Sequence, residues 1–309
     1  MIYTCTLNPA IDLFIETEHL KPEIVNRTNS YDIQPNGKGV NVSFILKQLG
    51  INNTALGVGG GFTSDFIEES LCKKGINTDF THIDGISRIN VFTRVVDVNT
   101  EFKEVNNGPK VTSEKVEEFL GKIKQLGIND KLIVSGSLSQ GIEPKIIVEI
   151  AKLAEKQQFD LIIDTSYPEV VDTMAYHPFL LKPNDEELLS WFDRAKTDEL
   201  DVLVKDAKEL VKKGAQNILL SLGSKGALFV NDREVLFGNA PKIKVVNTAC
   251  SGDTMLGTFI AGMEQDMSLA DNLRRSLAAA SSTAARSGLT NFEDVKELMK
   301  QIKIEQLEG

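Results

Sequence analysis

The stretch Asn247-Thr248-Ala249-Cys250-Ser251-Gly252-Asp253-Thr254-Met255 places a small-residue turn, a carboxylate and the start of a helical pattern side by side. After Ala249 the chain turns through Cys250, Ser251 and Gly252, and then Leu256, Phe259, Ile260 and Met263 fall on one helical face. A helix that begins there leaves its first N–H groups unpaired and presents the positive end of its dipole, so a phosphate against residues 250 to 253 is held without a lysine. Asp253 beside such an anion could take the proton from a hydroxyl that attacks a bound γ-phosphoryl group. The local sequence taken alone favours the plainer role of a helix-capping carboxylate.

The other glycine clusters fit neither standard nucleotide loop. Gly57-Val58-Gly59-Gly60-Gly61-Phe62 lacks the third glycine at dinucleotide spacing, which removes an NAD-linked dehydrogenase from consideration. Asn36-Gly37-Lys38-Gly39 has Asp32 where a Walker loop needs glycine and Gly39 where it needs Ser or Thr. His19, His82 and His177 are dispersed, which gives no support to a histidine metal site or a Ser/His/Asp triad. Cys5, Cys72 and Cys250 are scattered without CxxC spacing, as expected of a reduced, cytoplasmic protein without a disulfide framework.

Composition narrows the partners further. A formal charge of −10 and no Lys/Arg block argue against nucleic-acid or anionic-membrane surfaces, so an anionic substrate needs a local basic pocket. No run approaches the roughly 18 apolar residues of a membrane span. The apolar stretch from Met1 to Phe14 contains Asn8, Pro9 and Asp12 and reads as a strand entering a loop rather than a signal peptide.

The elements that must position these residues alternate. Ile2 to Leu7, Leu132 to Val134, Leu161 to Ile163, Phe179 to Leu181 and Ile218 to Leu222 read as short buried strands. Helical patterns lie between them: Val40 to Leu49 before Gly50, Ser113 to Leu126 before Gly127, Pro144 to Lys156, and Val202 to Lys213 before Gly214. The alternation predicts an α/β fold, a mostly parallel sheet with helices on both faces. One region departs from it: Arg88 to Val98, then Asn99-Thr100 and Glu101 to Val105, has the two-residue period of an antiparallel hairpin. With Asp12 to Ile15 and the segment around Ile33 it predicts a small β-sheet lid, residues near 12–35 and 88–106, inserted in a single domain spanning 1–309.

Six motifs in order carry a resemblance that covers nearly the whole chain. They are Thr6 to Asp12, Asn36 to Val42, Arg88-Ile89-Asn90, Ser135-Gly136-Ser137-Leu138, Lys182 to Glu187, and Ser221 to Ala227, followed by the loop at Thr248 to Asp253. The chain resembles the ribokinase-like carbohydrate kinases of the phosphofructokinase B family, whose last motif is usually Gly-Ala-Gly-Asp. Here Cys250 replaces the first glycine of that loop and Ser251 the alanine, Asn36 replaces a glycine, and Ser139-Gln140 stands where proline is common. A cysteine at 250 would be strained if the backbone is left-handed there, and is read as an inert small residue ahead of a low-pKa, oxidisable thiol.

The resemblance implies a ribokinase-like three-layer fold, ATP as donor and Mg²⁺ as cofactor. It implies Asp253 as the base, with the amides of Cys250, Ser251, Gly252 and Asp253 receiving charge on the transferred group. Asp12, at the end of the first strand, would hold sugar hydroxyls with Gly37, Lys38 and Asn41. Lys38, Arg27 and Arg88 tilt the substrate toward a sugar phosphate, with Asn90 and Ser137 completing the pocket. Lys182, Asn184, Ser221, Gly223, Gly226 and Ser282 would face the nucleotide, and Asn184 with Glu187 would reach Mg²⁺ through water. Asn184 and Glu187 also read as a capping box, and Gly223 to Gly226 as a plain turn. The family form most resembled phosphorylates fructose 1-phosphate to fructose 1,6-bisphosphate; a tagatose-6-phosphate kinase is the alternative, and a non-catalytic sugar-phosphate sensor is the alternative of another class. A homodimer through the lid is expected.

Overall fold

The computed structural model describes residues 1–307. Among the described residues fourteen strands follow one another: β1 (Ile2–Thr6), β2 (Ala10–Thr17), β3 (Ser30–Asn36), β4 (Asn53–Gly59), β5 (Asn77–His82), β6 (Arg88–Val95), β7 (Thr100–Glu104), β8 (Lys131–Ser135), β9 (Asp160–Asp164), β10 (Leu180–Leu181), β11 (Asn217–Ser221), β12 (Gly226–Asn231), β13 (Val235–Asn239) and β14 (Ile304–Leu307). Nine α-helices intervene among these described residues: α1 (Lys38–Gln48), α2 (Gly61–Lys73), α3 (Ser113–Ile123), α4 (Ile146–Gln157), α5 (Asp185–Trp191), α6 (Leu200–Lys213), α7 (Ser251–Glu264), α8 (Leu269–Ala284) and α9 (Val295–Met299).

Ten strands form the main sheet in the order β14-β13-β12-β11-β10-β9-β8-β1-β4-β5. From β5 to β11 every pairing is parallel, and β12 to β14 extend the edge as an antiparallel meander. The five strands expected from continuous apolar runs are present because a parallel strand covered on both faces must be apolar on both. Leu132 and Val134 of β8 pack into one cluster with Phe119 of α3, Ile150 of α4 and Leu210 of α6, while Ile133 joins Val42 of α1, Phe259 of α7 and Leu277 of α8 on the other face. Two cores on opposite faces of one sheet give the three layers. Gly50 and Gly214 lie at the expected helix ends, whereas α3 stops at Ile123 and Gly127 falls in the turn beyond it, where its N–H is held by Asp130 Oδ2 at 3.0 Å.

The lid is a separate four-stranded sheet in the order β3-β2-β6-β7, with β2 and β6 parallel and the outer pairs antiparallel. Its strands are those of the expected hairpin plus the two flanking segments. Phe14 and Phe92 stack across β2 and β6 with centroids 5.0 Å apart, on the same face as Asp12 and Asn90. On the other face Tyr31, Ile33 and Phe102 are exposed beside Leu13, Ile15 and Val91.

Candidate active site

The carboxyl ends of β1, β8 and β9 bring Thr6, Ser135 and Asp164 into register, and the reactive residues gather at that edge, where open α/β sheets bind ligands. Asp253 enters from α7. It is the third residue of the helix, buried, and its Oδ2 accepts from Asn41 Nδ2 of α1 at 2.9 Å. Burial foremost, and then the nearby Asp164 carboxylate, push its pKa up to about 6, against the pull of Lys38, the Asn41 hydrogen bond and Lys182. A carboxylate tuned toward neutrality suits a general base and exceeds what a simple cap requires.

The loop before it is the one expected to cradle an anion. The Ser251 amide reaches Thr248 O at 3.4 Å and the Thr254 amide reaches Cys250 O at 2.9 Å. Between them the amides of Gly252 and Asp253 have no acceptor among the described residues. A Cβ at Gly252 would lie 3.3 Å from Lys182 Nζ, so the absent side chain leaves the ammonium open to the same space the amides face. Lys182 itself is buried and pairs with Asp164 Oδ1 at 3.2 Å; Lys38 pairs with that same oxygen at 3.1 Å. Burial alone would raise the Asp164 pKa, but the two lysines outweigh it and hold the carboxyl below its usual range. Burial likewise works against the charge on Lys38, and Asp164, Asp253 and Glu187 outweigh it, raising the lysine.

Cys250 does adopt the left-handed backbone, with φ 63°. Its Sγ lies 3.2 Å from Asn41 Nδ2. Burial, reinforced by the Asp253 and Asp12 carboxylates, raises the thiol pKa, against the lowering a helix N-terminus would bring.

A cavity of about 330 Å³ is lined by Thr6, Asn8, Gly37, Lys38, Arg88, Ser137 and Glu187. Arg88 donates from Nη2 to Asn8 O at 3.0 Å, and its buried Nε has no partner. Burial lowers the Arg88 pKa despite the Asp12 carboxylate. Asp12 lies in the lid, as the third residue of β2 and not at the end of the first strand, because Leu7, Asn8 and Pro9 turn the chain out of the main sheet. Asn90 and Asn36 donate to its two oxygens, yet burial still raises its pKa. A second cleft of about 610 Å³ runs from Asp12, Asn36 and Asn41 past Cys250 to Arg286, Gly288 and Leu289.

Other expected positions sit elsewhere. Arg27 is exposed on the β2–β3 connection at the far end of the lid, where its carbonyl accepts from Thr17 Oγ1, and it lines neither cavity. Ser282 is buried in α8 with its hydroxyl on Thr290 Oγ1 at 2.7 Å and on Asp294, facing its own helix packing; Arg286 to Leu289 reach the cleft instead. At Gly226 a Cβ would meet Gly238 O at 1.8 Å, which ties that glycine to the β12–β13 pairing. Gly223 is exposed with open space around it, and Ser221 bridges Asn184 at the sheet edge.

Asn184 and Glu187 form the capping box in full, the Glu187 amide on Asn184 Oδ1 at 2.7 Å and the Asn184 amide on Glu187 Oε2 at 2.9 Å. No cluster of three His, Cys, Asp or Glu exists among the described residues. The oxygen chemistry still fits Mg²⁺, which keeps several waters: Asp164 Oδ2 is buried without a partner, and the Glu187 carboxylate faces the cavity. Asp164 itself was missed in the sequence, where its signal was an acidic residue ending the buried run Leu161-Ile162-Ile163.

Asp253, two helix-terminal amides without acceptors, Lys38 and Lys182 gather at one edge of the sheet, the set of groups that phosphoryl transfer to a hydroxyl requires. The pfkB family carbohydrate kinase model matches residues 5–296, and the chain belongs to that family. It is 44% identical over 307 residues to a D-tagatose-1-phosphate kinase of Bacillus licheniformis, covering 99% of this chain and 100% of the relative. It is 37% identical to a 1-phosphofructokinase of Borreliella burgdorferi, with 99% of each chain covered. Among solved structures it is similar to Escherichia coli phosphofructokinase-2 in complex with substrates and products, with a TM-score of 0.88, 26% identity, and 97% of this chain and 98% of that chain covered. The chain is therefore a sugar kinase with a mostly parallel three-layer fold and a lid.

Proposed function

We propose that the enzyme transfers the γ-phosphoryl group of ATP to the 6-hydroxyl of a ketohexose 1-phosphate, fructose 1-phosphate yielding fructose 1,6-bisphosphate. Asp253 takes the hydroxyl proton, the new O–P bond forms as the bond to the bridging β,γ oxygen breaks, and ADP leaves. The free amides of Gly252 and Asp253 and the Lys182 ammonium receive the charge of the migrating group. Lys38, Arg88 and Ser137 hold the phosphate already on the sugar. Asp12, Gly37, Asn41 and Asn90 hold its hydroxyls. Mg²⁺ would be held through water by Asn184, Glu187 and Asp164 and would neutralise phosphate charge.

The observation that carries this reading is the Asp253 carboxylate beside two unpaired amides, with the charge of Lys38 acting on it from a cavity that Arg88 also lines. Tagatose 1-phosphate is the second reading, favoured by the 44% identity to a kinase of that name. Both relatives are named for a sugar bearing its phosphate at carbon 1, which supports a 1-phosphate over tagatose 6-phosphate. A binding-only sensor is disfavoured by the presence of Asp253, Asn184 and Glu187 together. Comparing kcat/KM for fructose 1-phosphate, tagatose 1-phosphate, tagatose 6-phosphate and fructose 6-phosphate tests the assignment; a preference for either 6-phosphate overturns it.

The exposed apolar lid face, Tyr31, Ile33 and Phe102 beside Leu13 and Ile15, supports a homodimer formed lid to lid. In that assembly Arg27, at the lid's far end, belongs to the interface region. The mass in solution tests this, with Ile33→Asp expected to give a monomer.

A further inference from the structure

A line of side-chain hydrogen bonds runs from the lid to the base. The Asn106 amide reaches Asn90 Oδ1 at 3.2 Å, Asn90 Nδ2 reaches Asp12 Oδ1 at 2.8 Å, and Asn36 Nδ2 donates to Asp12 Oδ2. Asn41 Nδ2 then donates to Asn36 Oδ1 and to Asp253 Oδ2, each at 2.9 Å. Asn90 and Asp12 belong to the lid, while Asn41 and Asp253 belong to the helices of the body. Asn36 is the link at which the line crosses.

Its orientation is fixed. The Gly37 N–H donates to Asn36 Oδ1 at 2.6 Å, so the carbonyl faces α1 and the NH₂ must face Asp12. Gly37 itself, at φ 139°, holds a backbone conformation that side chains rarely adopt, between β3 of the lid and α1. The Asn36 side chain thus braces the connection from β3 to α1. The glycine more usual there would remove the brace and interrupt the line of bonds at its midpoint.

Resting on the sugar-kinase reading above, we propose that Asn36 is a positioning residue: it couples the seating of Asp12 by the lid to the alignment of Asp253 through Asn41, making the two a single event. Substrate held by Asp12 then steadies the base through the same line of bonds. Networks of this kind are apportioned only by double-mutant cycles, because residues acting through one another do not contribute additively.

The test is such a cycle on kcat with the sugar phosphate the wild-type enzyme turns over fastest, using Asn36→Gly, Asn41→Ala and the double variant. Asn36→Gly is expected to lower kcat 10- to 100-fold in the wild-type background, with KM for ATP within twofold, and by less than threefold where Asn41 is already alanine. Equal factors in both backgrounds overturn the proposal. Asn36→Ser provides the same comparison if the glycine variant does not fold, since its hydroxyl can still serve the Gly37 amide but is too short for Asp12. Wild-type turnover decides the function reading by itself, and only the interaction between the variants bears on Asn36.

Discussion

Lys38 and Lys182 converge on a single oxygen of Asp164, at 3.1 and 3.2 Å, one lysine from the sugar side and one from beside the anion loop. Two cations on one carboxylate leave one positive charge for an incoming phosphoryl group. The Asp164 side chain is 0% exposed and that of Lys182 5%, so neither can turn to water if the other is lost. Breaking a buried pair leaves an uncompensated charge and costs about 3–5 kcal/mol. Asp164→Asn is expected to lose stability on that order in urea unfolding, and Asp164→Asn with Lys182→Met to recover more than half of it. A double variant as unstable as the two losses added together would show that the pair is not the source.

Arg88 leaves most of its guanidinium free. Only Nη2 is engaged, on the Asn8 carbonyl, while Nε is buried without a partner and the group lines the sugar-side cavity. A charge-assisted hydrogen bond is worth about 1.5–3 kcal/mol, or roughly a 10- to 100-fold change in binding. Arg88→Ala should raise KM for the sugar phosphate by that factor with KM for ATP within twofold. Arg88→Lys should recover little, because an ammonium lacks the planar fork. Steady-state kinetics with each substrate varied in turn checks both.

What the sequence disclosed follows from what each element must bury. β8, β9 and β11 were legible because both faces are covered and the residues are continuously apolar. β4 was not, since Asn53-Thr54-Ala55-Leu56-Gly57-Val58-Gly59 contains two glycines, one of which makes room for the Phe80 ring of β5. β12 to β14 form an antiparallel edge whose pairing depends on the far C-terminus, which no local pattern announces. At the site, Asp253, Lys38 and Asn41 were found through motifs. Asp164 lay outside any motif, and its importance arises only when residues from three strand ends and a helix converge. Ser282 looked available in an Ala/Ser-rich helix but spends its hydroxyl on Thr290 and Asp294.

Asp253 with a pKa of about 6 sets the pH dependence. The base works only as the carboxylate, so kcat/KM should be level above pH 6 and fall tenfold per unit below it. Asp253→Asn should lower kcat by orders of magnitude while calorimetry finds ATP and sugar-phosphate binding near the wild-type values. An unchanged pH profile, or near-normal turnover by the variant, would remove Asp253 from the role of base.

The same shift has a stability consequence. The folded pKa is above the ordinary aspartate value of 3.8, so between about pH 4 and 6 the folded protein binds more protons than the unfolded chain. Stability from this group therefore declines as pH rises through that window, and the full cost is present above pH 6. At about 1.4 kcal/mol per pKa unit the cost is on the order of 2–3 kcal/mol. Asp253→Asn should unfold at higher temperature than wild type at pH 7.5, with the difference shrinking toward pH 4. Equal midpoints at pH 7.5 would mean that the buried charge carries no such cost.

Cys250 joins a strained backbone to a hindered thiol. A non-glycine residue in the left-handed region costs about 1–2 kcal/mol, and the return here is a single sulfur contact to Asn41. Both hydrogens of the Asn41 amide are already directed to oxygens of Asn36 and Asp253, so the sulfur adds little. Cys250→Gly should thus stabilise the protein by up to about 1 kcal/mol and leave kcat equal or higher. The raised thiol pKa also predicts sluggish chemistry: with iodoacetamide at pH 7.5, exposed Cys72 should be alkylated well before Cys250, as peptide mass mapping over time would show. Faster labelling at Cys250, suppressed by ATP, would mean that the helix terminus outweighs the surrounding carboxylates after all.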